Sequence, residues 1–359
     1  MSRSSLWISA PIVVFALAGL AGAGLFLAGI HARPPVAIPA PAQPAFAVGS
    51  AAGHGIDIPT RTASITQIDS RHEDTTVLFH LDVDPAVLVL DFSSLGQQAA
   101  MLNRVAALIE KADMPRDHVV SEAELDAHIR AAGGTPDAYY YGHDYRAADL
   151  ARFFGLVARE HMPLNRDETW LRDRLDQEGW FKAGAAGALI SLPGTGGEID
   201  QSSRTAIFRH ELSHAVYFTD PAYVALTQTF WNSMLTEPER AAIRTFLGAD
   251  GYDTADEDLM ANEAQAYLIH TRDPRYFLPA MVGIGPSREA FLRAAFVDAI
   301  PEPWLRQSAL AVAPVAPPPA PPVTGPQAVS VAPSLAPARP PPHVPRAGEE
   351  RPEPLPAHP

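Results

Sequence analysis

His210, Glu211 and His214 lie in the stretch RTAIFRHELSHAVYF (204–218) and spell H-E-x-x-H. On a helix, residues four apart stand about 40° apart around the axis. His210 and His214 therefore point the same way, one turn apart, and can hold one metal ion between them. Glu211 sits beside the pair, placed to take a proton from a water on that metal. The chemistry asks for two neutral imidazoles, a third protein ligand, an open position for water and a carboxylate base. Zinc in such a site lowers the pKa of its water toward neutrality and polarises a scissile carbonyl. The competing reading is a surface helix with two histidines and a salt-bridged glutamate.

The flanks of the motif suit a packed helix. Leu212 and Ser213 are uncharged, and Ala206, Ile207, Leu212 and Ala215 offer apolar positions. Upstream, Ala188–Leu192 reads as a short buried strand ended by Pro193 and a Gly-rich loop. Asp200, Ser202 and Ser203 are each able to cap the helix that follows, which runs to about Phe218. Asp220-Pro221 is a second start signal, with Asp as cap and Pro at the first helical position.

Together these features resemble the zincin superfamily of metallopeptidases, whose active-site helix carries H-E-x-x-H. The resemblance implies a helix-rich α+β domain with a small sheet before that helix, and an edge strand that aligns the substrate backbone. Gly187–Leu192 would fill that role, or would be a plain core strand. One zincin branch continues as H-E-x-x-H-x-x-G-x-x-H. Here Tyr217 stands at the glycine position and Asp220 at the last one, and a bulky Tyr removes the permissive glycine turn. The gluzincin branch instead takes a glutamate from a later helix, often in N-E-x-x-[AS]. Asn262-Glu263-Ala264-Gln265-Ala266 fits that pattern, 49 residues after His214. Small and apolar flanks mark its helix as buried, and a buried carboxylate needs a partner. The resemblance thus implies one zinc ion held by His210, His214 and Glu263, with Glu211 as general base. Some gluzincins orient a ligand histidine with an aspartate four residues after the glutamate; that position is Tyr267 here. Its phenol is a candidate to orient a ligand or stabilise an oxyanion. Tyr217, Tyr252 and His270 are rivals for the latter. The resemblance spans about residues 186–270, and residues 61–185 match no known family pattern.

The elements that must position these residues can also be read. Thr75–Leu81 and Ala86–Phe92 are rich in β-formers, with Asp82, Asp84 and Pro85 between them, and predict a strand pair. Helical spacing follows over residues 95–112. Further helices are expected at Ser121–Ala131, with a Ser121/Glu124 capping box, at Asp144–His161 and at Asp167–Glu178. After the motif they are expected at 221–235, 238–247, 255–270 and 286–299, with almost no strand. The Tyr-rich stretch DAYYYGHDYRAADL (137–150) is either a wall of a substrate cleft or a helix start capped by Asp144 with aromatic packing.

Composition bounds the whole. The chain has 359 residues, 47% of them apolar, a net charge of -14 and only two lysines, Lys111 and Lys182. Nucleic-acid binding, which needs phosphate neutralisation, is disfavoured. There is no cysteine, so a metal site must use His, Asp or Glu. Residues 6–30 carry no charge over 25 positions, long enough to span a bilayer. They are read as a single-pass signal anchor, or as a signal peptide cleaved near Ala21-Gly22-Ala23. Residues 1–5 flank it, a Pro/Ala-rich linker covers 31–60, and the folded domain is expected over 61–308. Residues 309–359 form a Pro-rich tail without the means to order. The expected protein is a membrane-anchored zinc metallopeptidase acting on peptides or proteins on the exported side of the membrane, or secreted if the segment is cleaved. The alternative is an envelope binding or scaffold protein with a structural zinc site.

Overall fold

Why the strands pair as they do follows from two apolar faces rather than one. In the computed structural model, Thr60–Ala63 (β1) leads into a short helix, Ile65–Asp69 (α1), and then Val77–Leu81 (β2) and Asp84–Asp91 (β3) form the expected antiparallel hairpin. Val77, Phe79, Leu81, Val87 and Val89 face one core, while Leu78, Leu88 and Leu90 face another. A sheet buried on both sides carries continuous apolar strands, as these are. The structure describes residues 56–110, 114–196, 199–249 and 252–312. The predicted anchor at 6–30, its flank, nearly all of the linker and the tail beyond 312 lie outside the described residues. Among the described residues no helix is long and apolar enough to cross a membrane.

Leu95–Ile109 (α2) and Glu122–Ala131 (α3) follow, the latter with the predicted capping box of Ser121 and Glu124. His143–Arg146 (β4) and Ala147–Glu160 (α4) replace the helix expected from Asp144 onward. Asp144 is therefore a strand residue, and Arg146 holds the N-cap position of α4. Arg166–Gln177 (α5), capped by Asn165, precedes Ala188–Leu192 (β5). The mixed sheet has the order β1-β2-β3-β5-β4. β5 runs parallel to β3 and antiparallel to β4. β5 is thus an inner strand, and β4, rather than the 187–192 segment, closes this end of the sheet.

Helices cover both faces. α2, α4 and α5 supply Leu102, Val105, Phe153, Phe154 and Leu171 to the core beneath Leu78 and Leu90. The other face carries Gln201–Thr219 (α6), which holds the motif, and the helices after it: Pro221–Thr229 (α7), Glu237–Ala249 (α8), Glu257–Gln265 (α9), Pro286–Ala299 (α10) and Pro303–Leu310 (α11). α7 and α9 each end in a π-helical turn, Phe230–Met234 and Ala266–His270. The class is α+β, helix-rich with a small sheet before the motif helix, as expected. Its limits are wider than 61–308, because Ile58 is buried in the core and α11 extends to Leu310.

Candidate metal centre

α6 is buried on every side. All residues from Ser202 to Tyr217 lie inside, which excludes the surface-helix reading. Asp200 is its N-cap, accepting from Ser203 N at 2.7 Å. One turn in, Arg204 fixes the helix against the sheet. Its guanidinium donates to Asp91 Oδ1 (2.8 Å), Pro193 O (2.7 Å) and Ile68 O (2.8 Å). Arg71 takes the other Asp91 oxygen at 2.7 Å. The end of β3, the loop after β5 and the end of α1 are thus clamped to the helix that carries the histidines.

His210 and His214 stand one turn apart, their ring centroids 4.7 Å from each other. α9 crosses beside them and brings Glu263 to both. His210 Nε2 is 3.7 Å from Glu263 Oε2, and His214 Nε2 is 3.8 Å from Glu263 Oε1. These spacings are too long for hydrogen bonds. Three ligands at about 2.1 Å from one tetrahedral ion would stand about 3.4 Å apart, close to what is seen. The candidate ligand atoms of the three residues lie within 4.8 Å of one another, and all three side chains are buried.

Proton positions strengthen the fit. Thr271 Oγ1 donates its one proton to Ala266 O at 3.1 Å, so it must accept from His210 Nδ1 at 2.8 Å. His214 Nδ1 donates to Asn262 Oδ1 at 3.0 Å. With both protons on Nδ1, both rings turn an Nε2 lone pair toward a carboxylate. Two imidazole lone pairs and a carboxyl group that converge in a buried space could hold a cation. Burial also keeps both rings neutral. It pushes the His210 pKa well below the usual histidine range, aided by His214 and His270, and that of His214 down to about 4. Neutral imidazole is the ligand form.

Glu211 is 1% exposed, and neither carboxylate oxygen bonds any group among the described residues. Burial raises its pKa well above the normal range, with Glu110 adding to the effect. Its neighbour is the backbone of Gly142, where any Cβ would overlap Glu211 Oε1. Asp144, two residues on, is buried on β4, and its pKa is raised by burial and then by Glu211, Glu110 and Glu263. The Tyr-rich stretch therefore borders Glu211, and the aspartate read as a helix cap is part of that border. Burial, and then the charge of Glu110, raises the pKa of both Tyr140 and Tyr145.

The remaining candidates separate clearly. Tyr267 packs its ring edge-on to His210, 4.9 Å between centroids, so it lies at the site. Tyr217 does not turn toward the ligands: its hydroxyl donates to Asp258 Oδ1. Tyr252 follows α8, its amide donating to Leu247 O. His270 bonds Tyr223 OH through Nε2 at 3.0 Å. Asp220 caps α7 through Ala222 N at 2.8 Å and is no ligand. Asn262 and Thr271, which hydrogen-bond the two candidate ligand histidines, are not among the sequence candidates. Asn262 lies in the quoted N-E-x-x-A pattern, whereas Thr271 comes into reach through the π turn at Ala266–His270. Set against models of known protein families, curated proteins and solved structures, the chain matches none of them.

Proposed function

We propose that this protein is a zinc-dependent peptidase of the gluzincin kind, with His210, His214 and Glu263 as ligands and Glu211 as general base. The observation that carries this reading is the convergence of two Nε2 atoms and one carboxylate at 3.7–3.8 Å, with a second carboxylic acid, Glu211, beside them and outside the ligand set. A structural zinc site is closed by four protein ligands, whereas three leave a position for water. When bound, zinc supplies a Lewis acid and an acidified water. With the ion's charge beside it, Glu211 would be ionised despite its burial, and would take the proton of the attacking water and pass it to the leaving amine. Of the four candidates for the substrate oxyanion, Tyr267 is the one whose ring packs against His210. Among the described residues β4 has one strand neighbour in the sheet, and its other side would pair with an extended peptide as an added strand. Gly142 at its start sets that strand directly against Glu211. Residues 6–30 would tether the enzyme to a membrane, with the folded part on the exported side.

One observation favours the second reading, a zinc-stabilised envelope scaffold: His210, Glu211, His214 and Glu263 are each at most 1% exposed. Zinc content and hydrolysis separate the two. The full-length chain in detergent is expected to hold one zinc per chain and to cleave members of a broad peptide library. Glu211→Gln should keep the zinc and lower kcat by about 10²–10⁴. Stoichiometric zinc with no hydrolysis by the unaltered chain would favour the scaffold; absence of zinc would end both readings.

A further inference from the structure

We infer that Ser213, acting through Gln265 and Asn262, fixes which nitrogen of His214 carries the proton, and is thereby a positioning residue for the metal. The inference rests on the zinc reading above and concerns a residue inside the motif that the H-E-x-x-H pattern leaves unspecified.

The hydrogen bonds form one chain, and each can be given a direction from the groups involved. His210 O, a backbone carbonyl, can only accept. Ser213 Oγ is 2.7 Å from it and donates its single proton there. Ser213 Oγ can then only accept from its other neighbour, Gln265, at 3.1 Å. Gln265 must therefore present its Nε2 amide to Ser213 rather than its oxygen. The same Nε2 lies 3.1 Å from Asn262, so Asn262 must present Oδ1 to it. That oxygen is also the one 3.0 Å from His214 Nδ1. An acceptor there requires a proton on Nδ1, which leaves Nε2 bare and aimed at Glu263.

The far end of Gln265 agrees but does not decide. Tyr223 OH donates to Gln265 Oε1 at 2.6 Å, and His270 Nε2 then donates to Tyr223 at 3.0 Å. Turn the Gln265 amide over, and Tyr223 would accept from it and donate to His270 instead. That arrangement is equally well bonded at this end. Nor does Asn262 hold itself: its Nδ2 bonds no group among the described residues. A reversed Asn262 would present N–H groups to His214, force the proton onto Nε2 and block the ligand atom. Only Ser213 distinguishes the two networks, because its proton is committed to His210 O. All of these side chains are at most 1% exposed, so water does not stand in for a lost partner.

The test uses the full-length chain in detergent with ¹⁵N-labelled histidine, first without metal. The ¹⁵N shifts of His214 are expected to report the Nδ1–H form in the unaltered chain. In Ser213→Ala, which suits a helix interior, and in Gln265→Leu, the Nε2–H form should rise to a comparable population. Zinc affinity, measured by competition with a chelating dye, should fall about tenfold or more in both, about twofold from the divided tautomer population and the rest from loss of the ring's fixed orientation. His214 remaining wholly Nδ1–H in both variants, with zinc affinity within twofold, would overturn the inference and leave the zinc reading standing. If the unaltered chain takes up no zinc, that reading fails, and the metal-free tautomers alone decide the role of Ser213. Circular dichroism of Ser213→Ala verifies that the fold is intact; should Gln265→Leu not fold, Ser213→Ala carries the decision.

Discussion

At the scale of single residues, the site is made of groups held in one protonation state by burial. His270 illustrates this away from the ligand set. It is fully buried, and burial followed by Arg293 brings its pKa down to about 3. An unfolded chain binds a proton at this side chain below about 6.5. Between about pH 6.5 and 3 the unfolded state therefore holds more protons than the folded one, and stability falls as pH falls. The metal-free protein should lose stability on acidification in that window, His270 contributing a slope of up to about 1.4 kcal/mol per pH unit. Urea midpoints measured from pH 7 to 4 should fall less steeply for His270→Gln than for the unaltered chain. Equal slopes would show that His270 does not carry this dependence.

At the scale of elements, position is set by a few long-range anchors. Arg204 is the strongest, since it joins α6 to β3, to the loop after β5 and to α1 from a site 1% exposed. Replacing it leaves Asp91 half-paired in the interior. Arg204→Met should cost about 3–5 kcal/mol in chemical denaturation, as expected when one partner of a buried ion pair is removed. A loss below about 1 kcal/mol would mean that Arg71 alone satisfies Asp91. This anchor also explains what the sequence concealed. Local signals were readable: the motif spacing, the Ser121/Glu124 box, the Asp200 cap, Asp220-Pro221, and Glu263 on a helix of small residues. β4 was not. HDYR has no β-branched residue, its Asp looks like a cap, and only pairing with β5 makes it a strand. The contacts of Gly142 and Asp144 with the site follow from strand order, and that of Thr271 from a π turn; neither has a local signature.

At the scale of the whole molecule, the folded unit begins before the first strand. Ile58 is buried beside Leu78 and Leu90, with Ile56 packed against the same cluster. β1 then pairs with β2 in parallel from Thr60 to Ala63. A fragment covering 56–312 should therefore outlast one covering 61–312 in urea by at least about 2 kcal/mol, the worth of a buried Ile side chain. Equal midpoints would place the folding boundary at 61 after all. The π turn at Ala266–His270 bears on the molecule's history. Such a turn holds more chain than an α-helical one, and here the surplus carries Thr271 back to His210. Loss of a single residue from this turn would give a more regular helix, and would rotate Thr271 by about a quarter turn away from the ring it orients. Changes of length should therefore be tolerated in the surface loops of this chain far more readily than in the buried π turn after Glu263.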